Sequence, residues 1–348
     1  MSQDYGVSGG GGKGLEGPWI SEASYWIPDY VVESAWLEHA AFSAWLMGVL
    51  RPDSVVELGT HSGFSYFALC DFADRLGLST RFVAIDTWQG DEHAGFYGEE
   101  TFAAVVDWNR RYEGRSTLLR SRFDEARPRI PNHSVDLLHI DGRHRYEDVS
   151  EDFRLYLSTV SRRGVVLFHD IAEYSGDFGV HRFWAEIKQE YPTFEFAHGH
   201  GLGVALVGPD SSPLLSALAA ADESTSEAVR SAYARLGRRA ADIRHLLVRS
   251  AAADALELEL AQAGALIQQL NDERAGAQAA HAGLAAEVSA FRASTSWRIT
   301  APVRWLGSAV RSRRRRSRAR LAIWPDWPFR RPSSPPRSRS KCFGSASR

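Results

Sequence analysis

The sequence lacks several features that mark special classes of protein. It has only two cysteines, Cys70 in an apolar run and Cys342 in a basic stretch, so a disulfide framework is not expected. No segment approaches the roughly 20 consecutive apolar residues of a membrane span. Residues 1–17 contain no apolar signal-peptide core and indicate a flexible leader. These absences predict a cytoplasmic protein.

Acidic residues are nearly missing from the last part of the sequence. From Arg311 to Arg348 there are thirteen Lys or Arg and one acid, Asp326. This tail therefore carries about +12, and because the net charge is −2, the remainder carries about −14. The charge gives no reason to expect specific nucleic-acid binding by the body, whereas the tail is able to contact any polyanion.

Short apolar runs alternate with helix-length segments through the first two thirds of the chain. Runs that are apolar throughout and separated by helices predict a parallel sheet covered on both faces. The predicted strands are 54–58, 81–86, 116–120, 135–141 and 164–170. The predicted helices are 28–50, 63–76, 98–113, 122–130, 146–160 and 179–190.

Two further apolar runs, 193–198 and 201–208, should pair antiparallel because so few residues separate them. The expected fold is therefore α/β, a Rossmann-like, mostly parallel sheet of seven strands with one reversed strand in a C-terminal hairpin. This domain should occupy 18–209. A helical segment at 210–291 and an aromatic and basic tail at 292–348 should follow.

A heptad pattern runs through 246–291, with apolar residues at most a and d positions and Arg249, Arg274 and His281 as interruptions. Such a pattern predicts a long helix that pairs as a coiled coil, through self-association or with a partner protein. Past Arg311 the Arg, Ser and Pro composition predicts a disordered tail.

A glycine-containing turn follows the first strand, in "VVELGTHSGFS". Gly59 and Gly63 would let a ligand approach bare backbone at a helix N-terminus. Glu57 could receive an ammonium group, and Asp86, at the end of the second strand, could accept both hydroxyls of a ribose. S-adenosylmethionine fits this order of groups better than a dinucleotide, which favours a denser glycine spacing. The alternative is a tight turn beside surface acids.

The stretch "LLHIDGRHRYED" at 137–148 ends the fourth strand in Asp141. His169 and Asp170 end the fifth strand, so the three side chains should meet at one edge of the sheet. Such donors suit a divalent cation, Mg²⁺ or Mn²⁺, that would bind a substrate hydroxyl. His144 could take the proton of that hydroxyl as general base. In the alternative interpretation Asp141 only caps a helix and His144 is a surface residue.

These segments together resemble class I S-adenosylmethionine-dependent methyltransferases over about 30–208. More narrowly, they resemble the branch found with bacterial glycosyltransferases, and the acid after strand four with a pair after strand five is similar to metal-dependent sugar O-methyltransferases. The chain departs from that pattern at His61, where a glycine is usual, and at His169, where an acid is usual. By this resemblance the cofactor contacts are Glu57, Gly59, Thr60, Gly63, Asp86, Thr87, Trp88 and Asp141.

The polar insertion "DTWQGDEHAGFYGEE" at 86–100 could cover cofactor and acceptor as a lid. Trp88 could stack on adenine, while Asp91, His93 and Tyr97 could contact the acceptor. The alternative is an ordinary surface loop.

The tail sequence "STSWRITAPVRWLG" resembles tails of bacterial polysaccharide glycosyltransferases and their companions. This suggests a saccharide or glycolipid-linked acceptor and a glycosyltransferase partner. Its aromatic and basic residues would equally suit an anionic membrane surface at the inner face of the membrane, or a solvated tail.

The leading hypothesis is therefore an S-adenosylmethionine-dependent O-methyltransferase that acts on a sugar hydroxyl in surface polysaccharide or glycolipid biosynthesis. One alternative is a catalytically idle cofactor-binding scaffold that recruits polysaccharide enzymes through the coiled coil. A second alternative is an NAD-dependent oxidoreductase.

Overall fold

The computed structural model describes residues 18–319. Its strands are β1 (Ser54–Leu58), β2 (Arg81–Asp86), β3 (Gly90–Asp91), β4 (Gly95–Phe96), β5 (Ser116–Arg120), β6 (Val135–Ile140), β7 (Val160–His169), β8 (Thr193–Phe196) and β9 (Leu202–Leu206). Its α-helices are α1 (Ala40–Leu50), α2 (Phe64–Arg75), α3 (Glu99–Asn109), α4 (Phe123–Ala126), α5 (Tyr146–Leu157), α6 (Val180–Glu190), α7 (Pro213–Ala219), α8 (Glu223–Ala293), α9 (Thr295–Ile299) and α10 (Ala301–Ala319).

Seven strands form one sheet in the order β5-β2-β1-β6-β7-β9-β8. The first five are parallel to one another, and β9 is antiparallel to both β7 and β8. The predicted fold class, with one reversed strand in a terminal hairpin, is confirmed. Chain order reverses between β1 and β6, and in sheets of this kind ligands bind outside the carboxyl ends of the strands at that point.

Both faces of the sheet are covered, as the uninterrupted apolar strands predict. In β1, Val55 belongs to one buried apolar cluster and the next residue, Val56, belongs to another. Leu137 and Leu138 of β6 divide in the same way. Alternate side chains of a strand point to opposite faces, so every central strand contributes to two cores.

Two predicted helices are shorter in the structure. The prediction of a helix over 28–50 was wrong for its first part, because α1 begins only at Ala40 after a 3₁₀ turn at Leu37–His39. The preceding segment packs on the core instead, with the Tyr30 ring 5.1 Å from that of Phe67. In 122–130, α4 covers four residues and a 3₁₀ turn containing Pro128 follows.

The described chain divides into two compact units, with the boundary after Leu256. The predicted domain end at 209 falls inside the first unit. Leu215 of α7 and Val229 and Tyr233 of α8 are buried in the same apolar cluster as the strands. The Tyr233 hydroxyl also donates a hydrogen bond to the Trp19 carbonyl at 2.6 Å. The first part of α8 therefore completes the core.

The rest of α8 carries the predicted heptad pattern as a continuous helix. Its large a and d side chains are exposed: Leu246, Leu256, Leu260, Ile267, Leu270, Leu284, Val288 and Phe291. Pairing with another helix stays a prediction. Residues 311–319, predicted to be disordered, belong to α10. The predicted leader, 1–17, and the rest of the tail, 320–348, lie outside the described residues. Among the described helices, none is long and apolar enough to cross a membrane.

Candidate active site

A cavity of about 560 Å³ opens at the carboxyl ends of β1, β2 and β6. This volume falls in the range of small-molecule and cofactor sites. Of the residues predicted from sequence, its lining includes Gly59, Asp86, Thr87, Asp91, Tyr97, Asp141 and His144. The lining does not include Glu57, Thr60, Gly63, Trp88, His93, His169 or Asp170.

Gly59 occupies a position that only glycine fits. Its backbone is in the left-handed region, with φ of 87°, and a Cβ atom there would lie 2.0 Å from the carbonyl oxygen of Asp141. The two strand ends are also joined by a hydrogen bond from the Asp141 amide to the Leu58 carbonyl at 2.8 Å. The glycine therefore lets the ends of β1 and β6 approach closely at the cavity floor.

Asp86 fixes the turn after β1. One of its oxygens, Oδ2, accepts hydrogen bonds from the amides of Thr60 and His61, both at 2.8 Å, and Oδ1 accepts from the Trp88 amide at 2.6 Å. A carboxylate has about four acceptor positions, so three are already used. Asp86 lines the cavity as predicted, but its carboxylate is not free to accept both hydroxyls of a ribose in this conformation.

Trp88 does not suit the predicted stacking on adenine. The side chain is fully buried, its indole N–H donates to the His61 carbonyl at 2.9 Å, and its ring lies 4.8 Å from that of Phe102. Its backbone has a positive φ of 51°. Trp88 therefore stabilises the turn after β1 from within the core, and a ligand in the cavity would not contact its ring.

Glu57 does not suit the predicted contact with an ammonium group. It is completely buried, and its Oε2 lies 2.8 Å from Nδ1 of His139, which is also completely buried. The two residues are direct neighbours in the register of β1 and β6. Burial raises the pKa of Glu57 against the opposing effect of His139. The sequence held a signal for this pair, since each residue is a polar side chain with apolar neighbours on both sides near the end of its strand.

Three ligand atoms converge beside the cavity. Asp141, His144 and Asp170 each present one, and these atoms lie within 4.8 Å of one another. Of these, His144 Nδ1 and Asp170 Oδ2 lie 3.2 Å apart. Two carboxylates and an imidazole are a suitable donor set for a divalent cation. The predicted metal group was Asp141, His169 and Asp170, so the structure puts His144 where His169 was expected.

His169 instead lies behind Asp141. Its Nδ1 is 3.2 Å from Asp141 Oδ1 and its Nε2 is 3.2 Å from the carbonyl oxygen of Gly199. Both partners are acceptors, so both ring nitrogens must carry a proton. Burial lowers the pKa of His169, but the neighbouring carboxylates outweigh burial and raise this pKa to about 9. His169 is therefore a cation that orients Asp141.

The two carboxylates respond differently to this cation. Burial works against the charge of Asp141, but His169 outweighs it and holds the pKa of Asp141 well below its usual range. Burial raises the pKa of Asp170, against the attraction of His169. Asp141 is thus ionised at neutral pH and ready to accept a bond or ligate a cation.

The insertion after β2 docks over the cavity, with β3 and β4 as a small antiparallel hairpin. Nε2 of His93 lies 2.8 Å from Asp177 Oδ1, and the His93 ring is 4.6 Å from that of Phe178. Arg145 donates to Asp177 at 2.6 Å and also pairs with Glu92. The insertion is therefore held to the segments after β6 and β7 by charged groups.

The three residues predicted to contact the acceptor have different surroundings. Asp91 Oδ1 accepts from the amides of His93 and Ala94, at 2.7 Å and 2.9 Å. The Tyr97 ring packs 4.5 Å from that of His61. Asp91 and Tyr97 face the cavity, while His93 is turned toward Asp177.

Sequence reasoning missed the far wall of the cavity, which α4 and α5 supply. A Cβ at Gly142 would lie 2.6 Å from the Phe123 ring and 3.2 Å from Asp152 Oδ2, so this wall also needs a glycine. Burial, with the nearby charge of Asp148, raises the pKa of Asp152 to about 7. Asp148 and Asp152 are four residues apart on α5, which places them on one helix face and was a usable signal.

Comparison with known proteins gives a match for the part of the chain that forms this cavity. Residues 56–171 match a protein family described as a methyltransferase domain. The match begins in β1 and ends just after β7, and so contains the Gly59 turn, Asp86 and all three candidate metal ligands.

Two relatives have no assigned function in their names. "Uncharacterized protein y4gI" of Sinorhizobium fredii (strain NBRC 101917 / NGR234) is 49% identical over 186 residues, which are 53% of this chain and 20% of that protein. "Uncharacterized protein R132" of Acanthamoeba polyphaga mimivirus is 39% identical over 74 residues, 20% of this chain and 33% of that protein. The chain thus spans a fifth of one relative's length and a third of the other's.

Among solved structures, the chain is similar to the O-methyltransferase TomG from Streptomyces achromogenes, determined in complex with SAM. The identity is 16% and the TM-score 0.38, and the alignment covers 55% of this chain and 97% of that one. A likeness at this level carries no argument about the reaction of this chain.

Proposed function

We propose that the chain is an S-adenosylmethionine-dependent O-methyltransferase. The observation that carries the proposal is that two groups from the segment matching a methyltransferase domain lie close together. The glycine turn lines the cavity, and the carboxylate–imidazole group of Asp141, His144 and Asp170 lies beside it. The cofactor would supply an electrophilic methyl group. The second group would supply the means to hold and deprotonate a hydroxyl.

The residues of the cavity fit the cofactor in part. Gly59 gives close access to backbone, and the ionised Asp141 at the cavity wall can accept from an ammonium group. Asp86 and Thr87 line the side where a ribose would lie, although three backbone amides and the Tyr97 side chain already contact the Asp86 carboxylate. Asp141 thus takes over the role that sequence reasoning gave to Glu57.

The acceptor hydroxyl would lie between the methyl donor and Asp141, His144 and Asp170. A Mg²⁺ or Mn²⁺ ion held there would lower the pKa of a bound hydroxyl, and the imidazole favours Mn²⁺ over Mg²⁺. His144 is also near enough to take the proton itself, as a general base. A sugar hydroxyl of a surface polysaccharide or glycolipid-linked saccharide is the proposed acceptor, on the resemblance of the tail.

Calorimetric titration of the full-length chain with S-adenosylmethionine and with NAD tests the proposal. We expect binding of S-adenosylmethionine and none of NAD. Binding of NAD alone would favour the oxidoreductase instead. The acceptor would be sought by mass spectrometry of surface glycans from cells with and without the gene. Loss of one methyl group from a saccharide identifies it.

A second candidate is a scaffold that binds cofactor without turnover. The exposed apolar a and d positions of α8, such as Leu260 and Ile267, favour a pairing role for this helix. The substitutions Leu260→Ser and Ile267→Ser in the full-length chain test it by sedimentation, since truncation at 210 would remove Tyr233 from the core. A lower mass for the double variant supports pairing, and an equal monomeric mass for both proteins removes self-association.

A further inference from the structure

The segment 294–319, formed by α9 and α10, differs in charge from the rest of the described chain. It contains eight arginines and no Asp, Glu or Lys. The helices begin with a capped turn, in which Ser294 Oγ accepts from the Trp297 amide at 3.3 Å. The chain stays helical from Thr295 to Ala319 apart from Thr300, whose amide bonds back to the Ser296 carbonyl.

One side of this segment is occupied by its own contacts. The Trp297 ring lies 4.8 Å from that of Phe291, and the Arg304 guanidinium lies 3.5 Å from the Trp297 ring centre. Arg304 also donates to the Trp297 carbonyl. These contacts fix the start of the segment, so Trp297 and Arg304 are structural and not free for a partner.

The other side is an apolar ridge formed by Ile299, Val303 and Leu306. Their spacing of four and then three residues places them on one helix face. They are 72%, 71% and 58% exposed, and Trp305 at the flank is 71% exposed. No described residue of the chain covers this ridge. Exposed apolar residues that are scattered singly are common, but a contiguous exposed patch indicates a binding surface.

We propose that segment 294–319 binds the surface of an anionic lipid bilayer. The ridge and Trp305 would enter the boundary between headgroups and acyl chains, and the exposed Arg298 and Arg311 would contact lipid phosphates. An anionic bilayer combines a negative surface with an apolar layer directly beneath it, which matches an apolar ridge beside an acid-free basic run. A nucleic acid would satisfy the charge but leave the ridge in water.

The segment would lie on the bilayer and not across it. Tryptophan and arginine are side chains that suit the interface, where one end is apolar and the other is wet. The basic residues continue after the ridge, from Arg311 to Arg318. This proposal does not depend on the proposed methyl transfer.

Flotation of the full-length chain with lipid vesicles tests the proposal. We expect co-flotation with vesicles that contain phosphatidylglycerol and none with vesicles of phosphatidylcholine alone. The double substitution Val303→Ser/Leu306→Ser keeps every charge and should weaken binding by about tenfold or more. Arg311→Gln should weaken it by about fivefold. Leu247→Ser/Leu258→Ser on α8 is the matched control, because it removes exposed apolar residues that lie outside the a and d positions, and it should bind as the wild type does.

Fluorescence gives a second measurement. The chain has eleven tryptophans, so the spectra of wild type and Trp305→Phe must be compared. A blue shift on addition of anionic vesicles that is lost in Trp305→Phe supports insertion at this residue. Retained binding of Val303→Ser/Leu306→Ser would overturn the proposal, since charge alone would then explain it. Absence of flotation with anionic vesicles would overturn it as well.

Discussion

Two histidine–carboxylate pairs lie close together in the sheet, and they differ in what surrounds them. Glu57 and His139 face each other inside β1 and β6, 2.8 Å apart and both fully buried. Asp141 and His169 lie just beyond, with Asp141 one residue past the end of β6 and its side chain 19% exposed. The first pair is sealed in the core, while the second opens on the cavity.

The difference shows that an acid near the end of a parallel strand is not by itself a site. Glu57 precedes the last residue of β1, so helices cover it on the sheet face, and its partner is fixed by strand register. Asp141 follows the last residue of its strand and keeps one oxygen free for a ligand. A carboxylate that is buried on all sides with its partner stabilises the fold. A carboxylate that has a buried partner on one side and faces a cavity on the other is also able to bind a ligand.

The strongest test of the comparison is metal binding at the open pair. Asp170→Asn should lower the affinity for Mn²⁺ by at least about 100-fold, because a charged ligand of the three is lost. Titration of Mn²⁺ followed by electron paramagnetic resonance measures this. Glu57→Gln is the matched control and should bind Mn²⁺ as the wild type does. Equal affinity of Asp170→Asn and wild type would mean that these residues hold no cation.

The sealed pair should matter for stability. Glu57→Leu leaves His139 buried without its partner and should lower the free energy of unfolding by about 3–5 kcal/mol. The double variant Glu57→Leu/His139→Leu should recover most of this loss, since apolar side chains of similar size often replace a buried pair at little cost. Urea denaturation measures both. A double variant no more stable than the single one would show that the pair is not the source of the effect.

The charge on His169 predicts a specific pH dependence. Its pKa is raised from 6.5 to about 9 on folding, so its contribution to stability is complete below pH 6.5 and lost as the pH rises through 9. Asp152, with a pKa raised to about 7, costs stability as the pH rises from about 4 to 7 and adds no change above that. Between pH 7 and 9, stability should therefore fall through His169 and, to a smaller extent, through Cys70, because burial raises the pKa of the Cys70 thiol well above its usual value.

Denaturation at pH 7 and pH 9 measures this effect. The His169 contribution to the unfolding free energy of the wild type should fall by about 2 kcal/mol over that interval. This part of the loss should be absent in His169→Gln and present in His245→Gln, which changes an exposed histidine of α8. A loss of the same size in His169→Gln would assign the titration to another group.

The fold could be predicted from the sequence because apolar runs and helix-length segments alternate regularly along it. Uninterrupted apolar strands and their alternation with helices set the sheet, the reversed strand and the edge at which a cavity would open. The prediction of a helix over residues 28–36 failed because tertiary contacts decide the conformation of that segment. Residues 28–36 pack on the core through Tyr30 instead of forming a helix, and the first part of α8 buries Tyr233 beyond the expected domain end.

For the candidate site, the sequence indicates which residues follow the strand ends but not which histidine joins the two acids. Asp141, His144 and Asp170 come together because each follows a strand end, which is readable from sequence. Which histidine joins the two acids depends on the turn after β6, which carries His144 back to Asp170 while His169 turns toward Gly199. A one-dimensional pattern holds no information on such side-chain directions.

Asp86 is intermediate between buried Glu57 and cavity-facing Asp141, and its substitution is expected to have the smallest effect. It is only 7% exposed, yet it lines the cavity while three backbone amides hold its carboxylate. Asp86→Asn keeps the shape but presents an amide N–H₂ where the turn needs an acceptor. We expect about tenfold weaker binding of S-adenosylmethionine by calorimetry, equivalent to about 1.4 kcal/mol, since a charged acceptor is replaced by a neutral one.

Asp91→Asn is the control for that measurement, because Asp91 also lines the cavity and also accepts from two backbone amides through one oxygen. It should leave the affinity for S-adenosylmethionine unchanged, since Asp91 lies in β3 and not beside the glycine turn. If Asp86→Asn loses stability but keeps its affinity, Asp86 belongs with Glu57 among the sealed acids. If affinity falls while the unfolding free energy is unchanged, Asp86 belongs with Asp141, and the ribose side of the cavity is fixed.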